Sequence, residues 1–208
     1  MDGRRSSPFR PYYASICYPQ ARAQFSLAGF KLLGVIMLRT EPSVFPNDLA
    51  ERADALLKAY RRHGLKIALA ESCTGGLIAA LLTEIPGSSL VFERGFVTYS
   101  NDAKHESLGV SASLLAEKGA VNEQVVREMA TGALKNSRAD VAVAVSGVAG
   151  PKGGSEERPV GLVHFACAGP QGRLVHVERR FGDLGRAKVR LATVHQALEL
   201  LARAIGEE

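Results

Sequence analysis

Ser72 is the first residue whose type and place suggest chemistry. It lies in Glu71-Ser72-Cys73-Thr74-Gly75-Gly76, directly after Lys66 to Ala70 (KIALA), a short apolar run that reads as a buried strand. Leu77, Ile78, Leu81, Leu82 and Ile85 then repeat at helical spacing until Pro86-Gly87 stops them. A hydroxyl on a strand-to-helix turn is exposed as a nucleophile requires. The helix N-terminus beside it offers free N–H groups and a partial positive charge. Thr74, Gly75 and Gly76 let the backbone approach an oxyanion or a phosphate closely. The same residue types also serve as a plain N-cap, and the P-loop spacing is absent. Cys73 adds a thiol as an alternative nucleophile, with no histidine placed to activate it.

Two further segments share this form. Thr98-Tyr99-Ser100-Asn101-Asp102-Ala103-Lys104 follows the strand-like run Phe92 to Tyr99. Lys104 falls early in the next helix, where the dipole disfavours a cation and so favours the neutral amine that a general base needs. A solvated surface lysine is the competing reading. Tyr99 either packs in the core or points into the same crevice. Ser146-Gly147-Val148-Ala149-Gly150-Pro151-Lys152-Gly153-Gly154-Ser155 follows Asp140 to Ser146 (DVAVAVS). Its backbone N–H groups suit an anion-binding concavity, or else the loop is a flexible connection. The three segments meet at one crevice only if their strands run parallel.

The elements that must position them alternate helix and strand. Pro46-Asn47-Asp48 opens a helix with Asn47 as N-cap, and His63-Gly64 ends it. Asn101 to Leu108 and Ser111 to Lys118 read as short helices, and Asn122 caps a longer one. Val160 to Cys167 and Leu174 to Phe181 read as strands joined by the turn at 169–172, hence an antiparallel pair. Arg186 to Ile205 is the last helix. Five strands with helices between them predict an α/β fold with a mostly parallel, mixed sheet.

The 208 residues carry a net charge of +5. Residues 1–36 hold Arg4, Arg5, Arg10, Arg22 and Lys31 against Asp2, so most of that excess belongs to a basic extension. Its prolines break any amphipathic helix, and it is expected to lack order. It reads as a targeting peptide or as an upstream extension with Met37 as the start. The nearly neutral body has no basic stripe, which argues against nucleic acid as a partner. No segment approaches the roughly 18 apolar residues of a membrane span, so no membrane partner is expected. Cys17, Cys73 and Cys167 are too few and too scattered for a disulfide framework or a zinc site. His63, His105, His164, His176 and His195 show no ligand spacing, so no metal is expected. A reducing, cytoplasmic setting follows.

Five stretches together resemble the CinA C-terminal domain family, the nicotinamide mononucleotide (NMN) amidohydrolases. They are ALAESCTGGLIAALLTEIPGSS (68–89), FERGFVTYSNDAKHESLGV (92–110), GAVNEQVVREMATGAL (119–134), AVAVSGVAGPKGGSEERPVG (142–161) and FGDLGRAKVRLATVHQAL (181–198). The resemblance covers about 46–206 and implies the stand-alone form, without the molybdopterin-binding-like domain that precedes it in longer relatives. It implies a three-layer α/β/α sandwich with a five-stranded mixed sheet. The implied activity is hydrolysis of the NMN carboxamide to nicotinate mononucleotide and ammonia, with no metal or other cofactor, in a homo-oligomer. The implied catalytic residues are Ser72, Lys104 and Tyr99. Amides around Thr74, Gly75 and Gly76 would serve the oxyanion. Ser146, Gly147, Gly150 and Arg186 would bind substrate, the loop and the arginine at its 5′-phosphate. Many relatives have an arginine directly after Gly-Asp, whereas here Leu184 follows Gly182-Asp183 and Arg186 comes two residues later. Two other readings stay open: a regulatory module that binds a nucleotide without turnover, and an interaction protein in DNA uptake or recombination.

Deleting residues 1–36 is expected to leave solubility and activity near those of the full chain. An insoluble or slow deletion variant, measured by sedimentation and by rate, would show that the extension completes the body.

Overall fold

The structure, a computed structural model, describes residues 43–207. The basic extension over 1–36 lies outside the described residues. Helix α1 (Asn47–His63) departs from the expected cap: Asn47 is its first helical residue and Pro46 is the cap, with no side-chain bond. The proline ring fixes φ at −51°, and its carbonyl accepts from the N–H groups of Leu49 and Ala50 at 3.1 Å. No asparagine side chain is needed there.

The other elements are β1 (Ile67–Glu71), α2 (Leu77–Thr83), β2 (Phe92–Val97), α3 (Asn101–Leu108), α4 (Ala112–Lys118), α5 (Glu123–Lys135), β3 (Val141–Gly147), β4 (Leu162–Ala168), β5 (Leu174–Arg180) and α6 (Arg186–Ala204). They form one sheet in the order β2-β1-β3-β4-β5. β1 pairs in parallel with β2 and β3, while β4 is antiparallel to both β3 and β5. Four strands therefore point one way and β4 alone points back, the mixed sheet expected from the sequence. Glu71 is level with Val97 and with Val145, so the carboxyl ends of β1, β2 and β3 open side by side. β2 stops at Val97, short of the expected Tyr99, because the next carbonyls turn away from the sheet toward Lys104.

The two faces of the sheet differ in side-chain size. Ile67, Leu69, Val141, Val143, Val145, Val163 and Phe165 form one core with α1, α2 and α6. Ala68, Ala70, Ala142, Ala144, Ala166 and Ala168 form the floor of the other, under α5 and its neighbours. The period-2 alternation in KIALA and DVAVAVS is thus large against small rather than apolar against polar. Both faces are covered, as a parallel sheet requires. Small side chains bring α5 close to the sheet, and α5 in turn receives α3. A Cβ at Gly132 of α5 would fall 2.0 Å from the Leu108 carbonyl oxygen at the end of α3. Among the described residues, no helix is long and apolar enough to cross a membrane.

Alanine exceeds glycine in intrinsic helix propensity by about 1 kcal/mol. Gly132→Ala should nonetheless destabilise the protein by roughly 1–3 kcal/mol, because the methyl group displaces α3. Thermal melting beside the exposed control Thr131→Ala checks this, and a Gly132→Ala protein that melts at or above wild type refutes the close approach.

Candidate active site

Three loops meet at the carboxyl end of the parallel strands: residues 72–76 after β1, 98–100 after β2 and 148–161 after β3. The convergence expected from the sequence is present. Ser72 is anchored by its own N–H, which donates to the Val145 carbonyl at 3.1 Å. Its hydroxyl oxygen lies 3.0 Å from the Lys104 Nζ.

Lys104 reaches Ser72 because of how α3 begins. The Ser100 hydroxyl caps the helix by accepting from the Ala103 N–H at 3.1 Å. Side chains on a helix lean toward its N-terminus, so Lys104 folds back over the loop that precedes it. Its Nζ donates to the Thr98 carbonyl at 2.7 Å, with the Tyr99 and Ser100 carbonyls at 3.4 and 3.5 Å. The residue is fully buried, and none of these partners is a carboxylate. Burial pushes its ammonium pKa down to about 8, against a smaller opposing effect of Cys73. The shift has the direction expected from the sequence, and its main cause is desolvation.

Cys73 is poorly placed for a nucleophile. Its side chain belongs to the core that α2 and α6 share, and burial pushes the thiol up to about 12. Thiolate is then scarce at neutral pH.

The α2 N-terminus differs from the expectation. Glu71, buried at the end of β1, accepts from the N–H groups of Gly76 at 3.0 Å, Ile78 at 3.1 Å and Ala79 at 2.8 Å. The chain's own carboxylate therefore occupies the helix N-terminus, and Gly76 has no amide left for a substrate. The Gly75 N–H donates to the Ser72 carbonyl at 3.1 Å and is also engaged. The N–H groups of Cys73 and Thr74 have no backbone or carboxylate acceptor among the described residues, and the Cys73 N–H meets its own thiol alone. Of the three amides expected to serve an oxyanion, Thr74 alone stays open, and Cys73 joins it.

Tyr99 and Ser146 also depart from their expected roles. The Tyr99 ring is 61% exposed, and its hydroxyl accepts from Arg186 Nη2 at 3.2 Å, with no bond to Ser72 or Lys104. Only its backbone carbonyl lies near the lysine. The buried Ser146 hydroxyl donates to the Ala120 carbonyl at 2.8 Å, so it ties down the segment before α5 rather than facing a ligand. Gly147 is a packing position, since a Cβ there would lie 2.6 Å from the Leu162 carbonyl oxygen. Gly150 and Arg186 do meet: Arg186 Nη1 donates to the Gly150 carbonyl at 3.1 Å. One guanidinium thereby bridges the second and third loops across the crevice.

Two residues here were not singled out from sequence. Glu71 carried a signal, because an acid ending an otherwise apolar strand must find buried donors. Arg190 stands four residues after Arg186, one helical turn further on the same face of α6. Its Nη2 donates to the Thr74 carbonyl.

Among the described residues, the buried side-chain atoms without a hydrogen-bond partner are Thr74 Oγ1, Thr98 Oγ1 and Arg190 Nε. All three belong to residues that frame Ser72 and Lys104. Buried polar groups are nearly always paired, so three unpaired atoms among these residues set this part of the described body apart. A groove of about 910 Å³ lies elsewhere, between α1 and α6, and includes none of these residues. Volume alone does not outweigh a buried Ser–Lys contact and three unpaired polar atoms. His164 and His176 stack on each other with ring centroids 5.3 Å apart. No group of three metal-ligand side chains occurs among the described residues.

The family model for the CinA C-terminal domain matches residues 49–205. A protein named nicotinamide-nucleotide amidohydrolase PncC from Enterobacter agglomerans is 54% identical over 158 residues, covering 76% of this chain and 93% of its own. The protein of the same name from Escherichia coli strain K12 is 49% identical over 155 residues, covering 74% and 93%. A crystal structure titled competence/damage inducible protein CihA from Agrobacterium tumefaciens superposes with a TM-score of 0.77 at 54% identity, covering 78% of this chain and 99% of that one. With a family match over nearly the whole described body and relatives this similar along almost their full length, the chain belongs to the CinA C-terminal domain family.

Proposed function

We propose that this protein hydrolyses the carboxamide of NMN to nicotinate mononucleotide and ammonia, with Ser72 as nucleophile and Lys104 as general base. The carrying observation is the 3.0 Å contact between Ser72 Oγ and a Lys104 Nζ that is buried without a carboxylate. The relatives named nicotinamide-nucleotide amidohydrolase support the substrate class.

In its neutral form Lys104 accepts the Ser72 proton, and Oγ attacks the carboxamide carbon. The developing oxyanion meets the open N–H groups of Cys73 and Thr74. The ammonium of Lys104 then gives its proton to the leaving nitrogen, the C–N bond breaks and ammonia departs. The acyl ester on Ser72 is opened by water, whose proton Lys104 takes in turn, as in other Ser–Lys variants of the triad. Arg186 and the Gly150 loop lie at the crevice mouth, where a 5′-phosphate enters. Tyr99 serves by fixing Arg186 through its hydroxyl and Lys104 through its carbonyl, without carrying a proton itself.

An ammonia-coupled assay with NMN, and with nicotinamide and NAD as controls, tests the reaction and the substrate class together. Ammonia from NMN is the expected result, and tight binding without ammonia would favour the regulatory module. Ser72→Ala should lower kcat by at least about 10³-fold, as loss of a nucleophile does. Cys73→Ala should keep substantial activity, and the reverse pattern would transfer the role to the thiol.

The pH profile is the second test. The base must be neutral, so the rate should rise with pH through an ionisation near 8 and level off above it. Lys104→Arg keeps the charge but does not deprotonate in this range. It should lose turnover at every substrate concentration and remove that ionisation. An arginine variant with near-normal kcat and an unchanged profile would exclude the base role.

A further inference from the structure

We infer that Arg190 is a positioning residue for this reaction: through the Thr74 carbonyl it holds the turn whose Cys73 and Thr74 amides receive the oxyanion. The inference rests on the reaction proposed above and adds a residue to it.

The 72–76 turn has little power to define itself. Gly75 and Gly76 both take left-handed conformations, with φ of 59° and 90°, and glycine visits that region freely. The internal bonds of the turn are Gly75 N–H to the Ser72 carbonyl and Leu77 N–H to the Thr74 carbonyl at 3.3 Å. On the helix side, Glu71 fixes the amides from Gly76 onward. The nearer part, which carries the two open amides, is held at Ser72 by its bond to the Val145 carbonyl and at Cys73 by the buried side chain, and at Thr74 the grip from outside the turn is Arg190.

Arg190 is suited to that task. Its guanidinium donates to the Thr74 carbonyl from α6, an element outside the turn, so the constraint does not bend with the loop. A charged donor on a carbonyl is roughly twice as strong as a neutral one. The carbonyl of Thr74 and the N–H of Thr74 lie on the two peptide planes that flank one Cα. Fixing the first limits rotation of the second.

The remaining donors make a purely structural role a poor account. Arg190 Nε is buried with no acceptor, and the hydroxyl of Thr74, whose carbonyl Arg190 grips, is buried with no partner. A guanidinium spent on one backbone carbonyl, with a donor left unpaired, costs stability. Arg186, one turn earlier on α6, grips the other two loops through Tyr99 and Gly150. The two arginines together fasten all three loops of the crevice to a single helix.

Arg190→Met and Arg190→Lys in the full chain, assayed for ammonia release from NMN, decide the matter. Arg190→Met should lower kcat by about 10–100-fold, the scale of a misplaced catalytic geometry, with KM changed by less than about threefold. Arg190→Lys, which restores one charged donor, should recover part of kcat. The ionisation in the pH profile should stay where wild type has it, since Lys104 is untouched. A raised KM with full kcat would overturn the inference, because Arg190 would then be a direct substrate contact. Unchanged kinetics in both variants would also overturn it. Should Arg190→Met fail to fold, Arg190→Lys carries the same test: a kcat loss at constant KM supports the inference, and any other split overturns it. A wild-type protein that releases no ammonia from NMN sinks the proposed reaction itself. An active wild type with a fully active Arg190→Met protein sinks this inference alone.

Discussion

A lysine side chain with no carboxylate among its hydrogen-bond partners is buried at the carboxyl ends of β1 and β2, and the surrounding geometry follows from that constraint. Three carbonyls and one serine hydroxyl are its polar neighbours. A buried acid in their place would hold the amine charged and useless as a base. Burial without an acid lowers the pKa from 10.5 to about 8. Such a displacement corresponds to roughly 3 kcal/mol of folding stability forgone at neutral pH. The sign is fixed by linkage: the folded protein releases this proton more readily than the unfolded chain, so the cost is full below pH 8 and disappears as pH rises toward 10.5. That cost brings the neutral amine into reach near pH 8, with Ser72 Oγ 3.0 Å away.

The other charges near the site are arranged so that they do not undo this. Glu71 is fully buried, but its two oxygens are taken by three N–H groups at the start of α2. An anion there is stabilised by the helix dipole as well as by the bonds. Arg190 donates instead to a carbonyl, and Arg186 to a carbonyl and a phenol, so neither is paired with an acid in the crevice. The Cys73 thiol, between these groups, is raised by Glu71 and lowered by Lys104 and Arg190, yet its own burial dominates.

The sequence was legible where local rules decide. KIALA and DVAVAVS specify buried strands, and the helices between them impose parallel neighbours, so the crevice and its three loops could be placed. Ser72 after β1 and Lys104 early in α3 were legible as candidates from their places, and the family resemblance joined them as a pair. Side-chain direction was not. Ser146 and Tyr99 are polar residues at strand ends, and nothing local says whether such a hydroxyl faces a ligand or a neighbouring carbonyl or guanidinium. The Glu71 cap was readable in principle from a charge at the end of an apolar run, but its effect, removing Gly76 from the candidate donors, required knowing which amides it reaches. The Pro46 cap was missed for a simpler reason: a proline carbonyl performs the bonding expected of the asparagine after it.

The small side chains on one face of the sheet connect the core to the chemistry. Alanines at 68, 70, 142, 144, 166 and 168 leave room for α5 to lie low on the sheet. α5 presents Gly132 to the end of α3, where even a methyl group would strike the Leu108 carbonyl. α3 is thereby seated at a fixed height above the carboxyl ends of β1 and β2. Lys104 lies on that helix one turn before Leu108, and its reach to Ser72 depends on the height. A bulkier residue in the alanine floor would lift α5 and α3 together and lengthen the 3.0 Å contact, far from any group that touches substrate. The choice of alanine over valine on one face of β1 and β3 is thus part of how Lys104 is positioned.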